Sequence, residues 1–250
     1  METRCRCALQ IYEIILDQLL RDIHTLANPE KQKIFIRFFK TGAGQYGEGD
    51  QFLGLTVPQQ RTLAKKYQHL SLSEIELLLK NPIHELRLIA LIILTHRFQN
   101  KDTNKKNITD FYLAHTTWVN NWDLVDLSAY KILGDYLQEH DARAPVLYRL
   151  ARSSNLWERR IAIVATFAFI RDNQLTHTFA LSEILLHDTH DLIHKAVGWM
   201  LREAGKRDEH QLKQFLNSHA AVMPRTTLRY AIEKFPDSTR KRYLSLRSQR

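Results

Sequence analysis

Trp122-Asp123-Leu124-Val125-Asp126 is the stretch on which the fold turns, because its register recurs along the chain. Steps of 36 residues link Arg87, Asp123, Arg159 and Lys195 in one column. The same step links Ala90, Asp126, Ala162 and Gly198 in a second column, and Leu91, Leu127, Ile163 and Trp199 in a third. Apolar residues at helical spacing fill each unit, so the period marks an α-solenoid of paired helices of the HEAT or armadillo type. Helices are expected to begin near His84, Trp122, Trp157 and Ile193, with Thr226–Phe235 as the second helix of a last, atypical unit. The expected fold class is all-α: an α-solenoid of HEAT-like helical repeats, an α-α superhelix with a concave face. It is expected to form a single domain over residues 1–250, with a basic, frayed tail at 237–250.

Within the register, Asp126 is the exception. Three units place a small residue in its column, where helices pack closely, and one places a carboxylate. Trp122 and Asp126 stand at i and i+4 and share a helix face. Leu127, Ile132 and Leu133 continue the apolar pattern, so that face is expected to be the buried one. An acid that breaks an otherwise consistent pattern points to function. Trp199 departs from its own column in the same way, and departures on stacked repeats can converge in one groove.

Composition agrees with helices. The 250 residues hold only 8 glycines and 6 prolines, too few for a sheet protein with many tight turns. Residues 8–26 read as a first helix and 30–40 as a second. Five glycines then cluster in a loop (Gly42, Gly44, Gly47, Gly49 and Gly54), and Pro58 marks a helix start. No run is apolar and long enough to span a membrane. Cys5 and Cys7 are the only cysteines, one residue apart, which excludes a disulfide framework and a cysteine zinc site. A cytoplasmic monomer is the simplest expectation.

Several motifs carry no chemistry on inspection. Gly42-Ala43-Gly44-Gln45-Tyr46-Gly47 fits G-x-G-x-x-G, but a helix precedes it and no βαβ pattern follows. His187, His190 and His194 have metal-ligand spacing beside Asp188 and Asp191, yet they straddle a helix end and a new start, which scatters side chains. No metal and no organic cofactor is expected. Nucleophile-elbow and Walker patterns are absent from the sequence.

The net charge of +9 makes a polyanion the expected partner, and residues 224–250 contribute eight Lys and Arg against Glu233 and Asp237. Arg159, Arg160, Lys195, Arg202, Arg225 and Arg229 recur near Trp122, Trp157 and Trp199. They are candidates for phosphate contact, against the plainer reading of solvated helix faces.

Five ordered segments carry a family resemblance. They are residues 46–58 (Tyr46 to Pro58), 121–126 (Asn121 to Asp126), 133–136 (Leu133 to Tyr136), 157–160 (Trp157 to Arg160) and 195–203 (Lys195 to Glu203). Together they resemble the DNA alkylation repair (AlkD-like) glycosylases over residues 30–235. The resemblance implies a basic concave surface that holds double-stranded DNA containing alkylated bases. It implies excision of positively charged alkylated purines such as 7-methylguanine and 3-methyladenine. It places the catalytic roles on Asp126, Trp122, Trp199 and Arg160; the DNA contacts expected at Trp157, Arg159, Lys195, Arg202, Arg225 and Arg229 come from the residue reading above.

The residue chemistry fits that implication. A purine alkylated on its ring is a cation and leaves without a general acid, so one carboxylate suffices where ordinary glycosidases use two. Asp126 would stabilise the oxocarbenium charge and activate water, the tryptophans would face the cation, and Arg160 would hold a phosphate or favour the ionised form of Asp126. Two other readings use the same residues: a non-catalytic HEAT-repeat protein that binds distorted or branched DNA, and a protein-binding scaffold.

Overall fold

The computed structural model describes residues 17–101 and 103–246. Cys5, Cys7, the first half of the expected N-terminal helix, Arg247 and Arg250 lie outside the described residues. Among the described residues the chain is all-helical, with one isolated bridge between Gln51 and Ile83 and no strand. No helix among them is long and apolar enough to cross a membrane. Two compact units are present: the residues up to Asn104 with Trp118–Leu124, and Lys105–Thr117 with Val125 onward.

The expected helix starts are found at His84, Trp122, Leu156 and Asp191. Capping explains the shifts of one or two residues. Asn155 accepts from the Trp157 N–H and His190 from the Leu192 N–H, so each helix begins just before its first large apolar residue. At Val57–Lys66 a capping box between Thr56 and Gln59, with Pro58 in the first turn, fixes the start.

In the first unit, helix His84–Gln99 is buried on nearly every side and packs against Val57–Lys66 and Leu72–Leu79. A helix apolar all round belongs in a core. Residues 17–25 are helical, and Leu19 and Ile23 are fully buried. The Gly42–Gly54 stretch is a loop, as expected, and Gly54 is its tightest point. At φ +87 and against the Asn28 carbonyl, it has no room for a Cβ.

In the second unit, helix Leu156–Ala165 packs on Pro145–Ala151 and on Asp191–Gly205, which in turn packs on Arg225–Ala231. The small-residue column does what was expected of it. Ala90 and Ala162 are fully buried, and a Cβ on Gly198 would stand 2.6 Å from the Thr227 carbonyl oxygen. The segment expected to fray is instead a helix, Asp237–Ser245. Buried Tyr243 anchors it by donating to Asn217, and Arg225 donates to the Leu244 carbonyl.

Helix Trp122–Ala129 corrects one expectation. Leu124, Val125, Ser128 and Ala129 are its buried residues, while Trp122, Asp126 and Leu127 are partly exposed. The face that carries Asp126 is therefore the accessible one. The helix continues through a π-turn at Tyr130–Gly134, where Gly134 lies so close to the Ala165 carbonyl that a Cβ would stand 2.3 Å from it. Such insertions are frequent at functional sites.

Candidate active site

In the second unit, Arg160 grips Asp126 with two parallel hydrogen bonds. Nε donates to Oδ1 at 3.0 Å and an Nη to Oδ2 at 2.8 Å. The other terminal nitrogen donates to the Leu192 carbonyl at 2.5 Å. The Arg160 side chain is 6% exposed, whereas that of Asp126 is 23% exposed. A buried guanidinium thus aims a partly exposed carboxylate. The bidentate fork fixes the plane of the carboxylate as well as its position. Three of the five Arg160 N–H donors are thereby used within the fold.

Trp199 is partly exposed on helix Asp191–Gly205 and tilts against Phe167, with ring centroids 6.1 Å apart. Phe167 meets Tyr130 edge-on at 5.2 Å. The row Tyr130, Phe167, Trp199 went unread in the sequence, although Tyr130 stands one helical turn after Asp126 and could have been found by that spacing. Lys131 and Arg171 both lie over the Tyr130 ring. In the first unit Trp122 is partly exposed and stacks on Phe39 at 5.5 Å.

The residues nominated for DNA contact separate into distinct environments. Trp157 is 8% exposed and belongs to the core, because the Asn155 cap turns the helix so that its first aromatic packs inward. Arg159 pairs with Asp188 at 2.6 Å and also donates to the Ser153 and Ser154 carbonyls. Lys195 pairs with Asp191, one turn earlier. Arg202 bonds Glu203 and Glu233. Arg225 is exposed but directed to the carbonyls of Leu244 and Leu246. Arg229 is exposed and makes no ion pair among the described residues. The Arg87, Asp123, Arg159, Lys195 column is thus a column of ion pairs.

The histidine cluster is occupied in the same structural way. His190 caps a helix, His194 contacts the Asp188 carbonyl, and Asp188 holds Arg159. No group of three or more metal-binding side chains is found among the described residues.

A further buried network lies in the first unit. His84 bridges Asp50 at 3.1 Å and Asp123 at 2.8 Å, Arg87 also holds Asp50, and Asn121 donates to Asp50 at 3.0 Å. Burial opposes the charge on His84, yet the Asp123 and Asp50 carboxylates hold its pKa up at about 9. Burial likewise works against the Asp50 carboxylate, and bonds from His84, the Arg87 charge and Asn121 outweigh it and lower its pKa. These partners are 34 to 71 residues apart in sequence, which hides the network from any local pattern.

A family model described as "DNA alkylation repair enzyme" matches residues 19–235, a span that reaches into both units and includes every nominated site residue. The chain belongs to the DNA alkylation repair enzyme family. Solved structures agree on the helical-repeat fold. A predicted DNA alkylation repair enzyme from Enterococcus faecalis superposes with a TM-score of 0.68 at 18% identity, covering 84% of this chain and 97% of that one. AlkD2 from Streptococcus mutans gives 0.55 at 16% identity, covering 90% and 99%. The protein smu.31 from Streptococcus mutans UA159 gives 0.54 at 17%, covering 83% and 100%. No curated protein matches the chain. At these identities the structures speak for the fold, and the repair assignment rests on the family match.

Proposed function

We propose that this DNA alkylation repair enzyme is a glycosylase that releases positively charged alkylated purines, 7-methylguanine and 3-methyladenine among them, from duplex DNA. The observation that carries the reading is the half-open Asp126 carboxylate held by both oxygens on the buried Arg160. In the reaction the C1′–N bond breaks, its electron pair neutralises the cationic base, and the base departs without protonation. Asp126 faces the positive charge that develops on the sugar and accepts a proton from the water that adds to C1′. Arg160 acts through Asp126 as a positioning residue. Trp199 offers an aromatic face to the cation, an attraction of about 0.5–2 kcal/mol that neutral bases do not gain. No cofactor enters these steps.

Binding in this reading is to the DNA backbone, since a repair enzyme meets its lesion in any sequence. Exposed cations such as Arg229 supply it, and affinity falls steeply with salt. The test is base release from a duplex carrying one 7-methylguanine, with DNA affinity measured at two salt concentrations. Release of free base supports the glycosylase. Tight, salt-sensitive binding without release for this or other cationic lesions contradicts it and favours a non-catalytic DNA binder. A scaffold that binds proteins would show no affinity for DNA.

A further inference from the structure

Apolar packing alone leaves the roll of the Asp126 helix open. Trp122, Leu124, Val125 and Leu127 distribute large apolar groups around helix Trp122–Ala129, so turning it about its axis exchanges one for another at little cost. Yet the roll decides the site, because it fixes whether Asp126 meets solvent. Packing beyond Ala129 acts through the π-turn at Tyr130–Gly134, where the regular hydrogen-bond ladder is interrupted. A group nearer to Asp126 has to select the face.

Ser128 is the one polar residue on the buried face of this helix, and it is fully buried. Its hydroxyl shares a hydrogen bond of 3.0 Å with the hydroxyl of Tyr112, a 1% exposed residue of helix Lys105–Ala114. Both residues belong to the second unit, as do Asp126 and Arg160. Ser128 follows Asp126 by two positions, about 200° around the helix, so seating Ser128 inward turns Asp126 outward. A buried hydroxyl without a partner is costly, whereas replacing both partners by apolar groups of like shape is nearly neutral. The pair therefore adds little to stability and much to orientation: in another roll the Tyr112 hydroxyl would be buried without this bond. The Tyr112 phenol also lies in the field of Asp126. Burial pushes its pKa up and the negative charge of Asp126 pushes the same way, so the phenol keeps its proton.

We propose that Tyr112 and Ser128 are positioning residues for base release: their buried hydrogen bond fixes the roll of the helix and thereby presents Asp126 to the substrate. That the bond orients Asp126 follows from the packing; that the orientation serves base release rests on the glycosylase reading. Arg160 aims the carboxylate, and the hydroxyl pair aims the helix beneath it.

Single-turnover base release from a duplex carrying one 7-methylguanine tests this in Tyr112→Phe, Ser128→Ala and the double variant. Tyr112→Phe should slow release about tenfold per folded molecule and leave DNA affinity unchanged. Ser128→Ala should match it. The double variant, whose apolar pair keeps the core filled, should fold and be no slower than either single change. In an Asp126→Asn background Tyr112→Phe should have no further effect, since the bond acts through that carboxylate. Losses that add, the same loss on top of Asp126→Asn, or lost stability with the rate per folded molecule intact overturn the inference. Carboxylate labelling by a carbodiimide and an amine, read by mass spectrometry on the full chain without DNA, needs no activity. Labelling of Asp126 should change severalfold in both single variants, while Asp135, beyond the start of the π-turn, keeps its wild-type value. Altered labelling without base release by the wild type keeps the positioning and removes the glycosylase. Release by the wild type, with rates and labelling unmoved in the variants, does the reverse.

Discussion

Asp123 and Asp126 stand three residues apart on one helix and have opposite fates. Asp123 is drawn into the buried network of the first unit, with one oxygen on His84 and the other enclosed. Asp126 keeps an edge in solvent while the buried Arg160 of the second unit holds both its oxygens. Asp123, 17% exposed, spends one oxygen on a buried histidine and keeps the other covered, so its charge is used within the fold. A carboxylate that is aimed but still accessible can add an interaction when substrate arrives, and only interactions strengthened in the transition state speed a reaction. Carboxylate and cation are common to both sites, and under the proposed function the more accessible of the two acids is the catalytic one.

The contrast can be broken most forcefully at the closed site. Arg87→Met removes the guanidinium from Asp50 and leaves a buried carboxylate short of a partner. Unfolding free energy should fall by about 3–5 kcal/mol in denaturant titration. A loss below about 1 kcal/mol would mean that water enters and the network is not closed.

A smaller effect should follow from pH. His84 titrates near 6.5 when unfolded and at about 9 in the fold. Its contribution is therefore complete below about pH 6.5 and is lost as pH rises through about 9, a change on the order of 3 kcal/mol. Asp50, whose pKa is lowered, works at the other end and loses its contribution as pH falls through that lowered value. Melting temperatures across this range should decline on the alkaline side, and His84→Gln should flatten the decline. An unchanged slope in that variant would take His84 out of the account.

The open site is sharpened by Arg160→Lys, which keeps the charge but loses the planar fork. Base release should slow by about tenfold, with DNA affinity little changed. A drop in DNA affinity with the catalytic step intact would instead make Arg160 a phosphate ligand.

The repeat was legible in the sequence because it is periodic, and capping by Asn155 and His190 moved the helix starts only slightly. The direction of helix Trp122–Ala129 was not legible. Trp122, Leu124, Val125 and Leu127 place apolar residues around its whole circumference, and small Ser128 and Ala129, which a hydrophobic pattern passes over, are what pack inward. Asp126 stood out because it breaks a column of small residues. The pairing partners of Asp123 did not, since Asp50 and His84 come from distant segments. Arg160 was found as a residue, but its task depends on three hydrogen bonds that only the fold assembles. The basic residues were legible as charges, but their partners in the fold were not, as in Arg159 with Asp188.

The central claim is met most directly by measuring 7-methylguanine release from a duplex by Asp126→Asn and Asp123→Asn side by side, with stability and DNA affinity recorded for both. The account predicts that Asp126→Asn loses about 10²–10³-fold in rate while it stays folded and bound to DNA. Asp123→Asn should lose stability first and retain most of its rate per folded molecule. Normal release by Asp126→Asn, or a loss confined to Asp123→Asn at full stability, would contradict it.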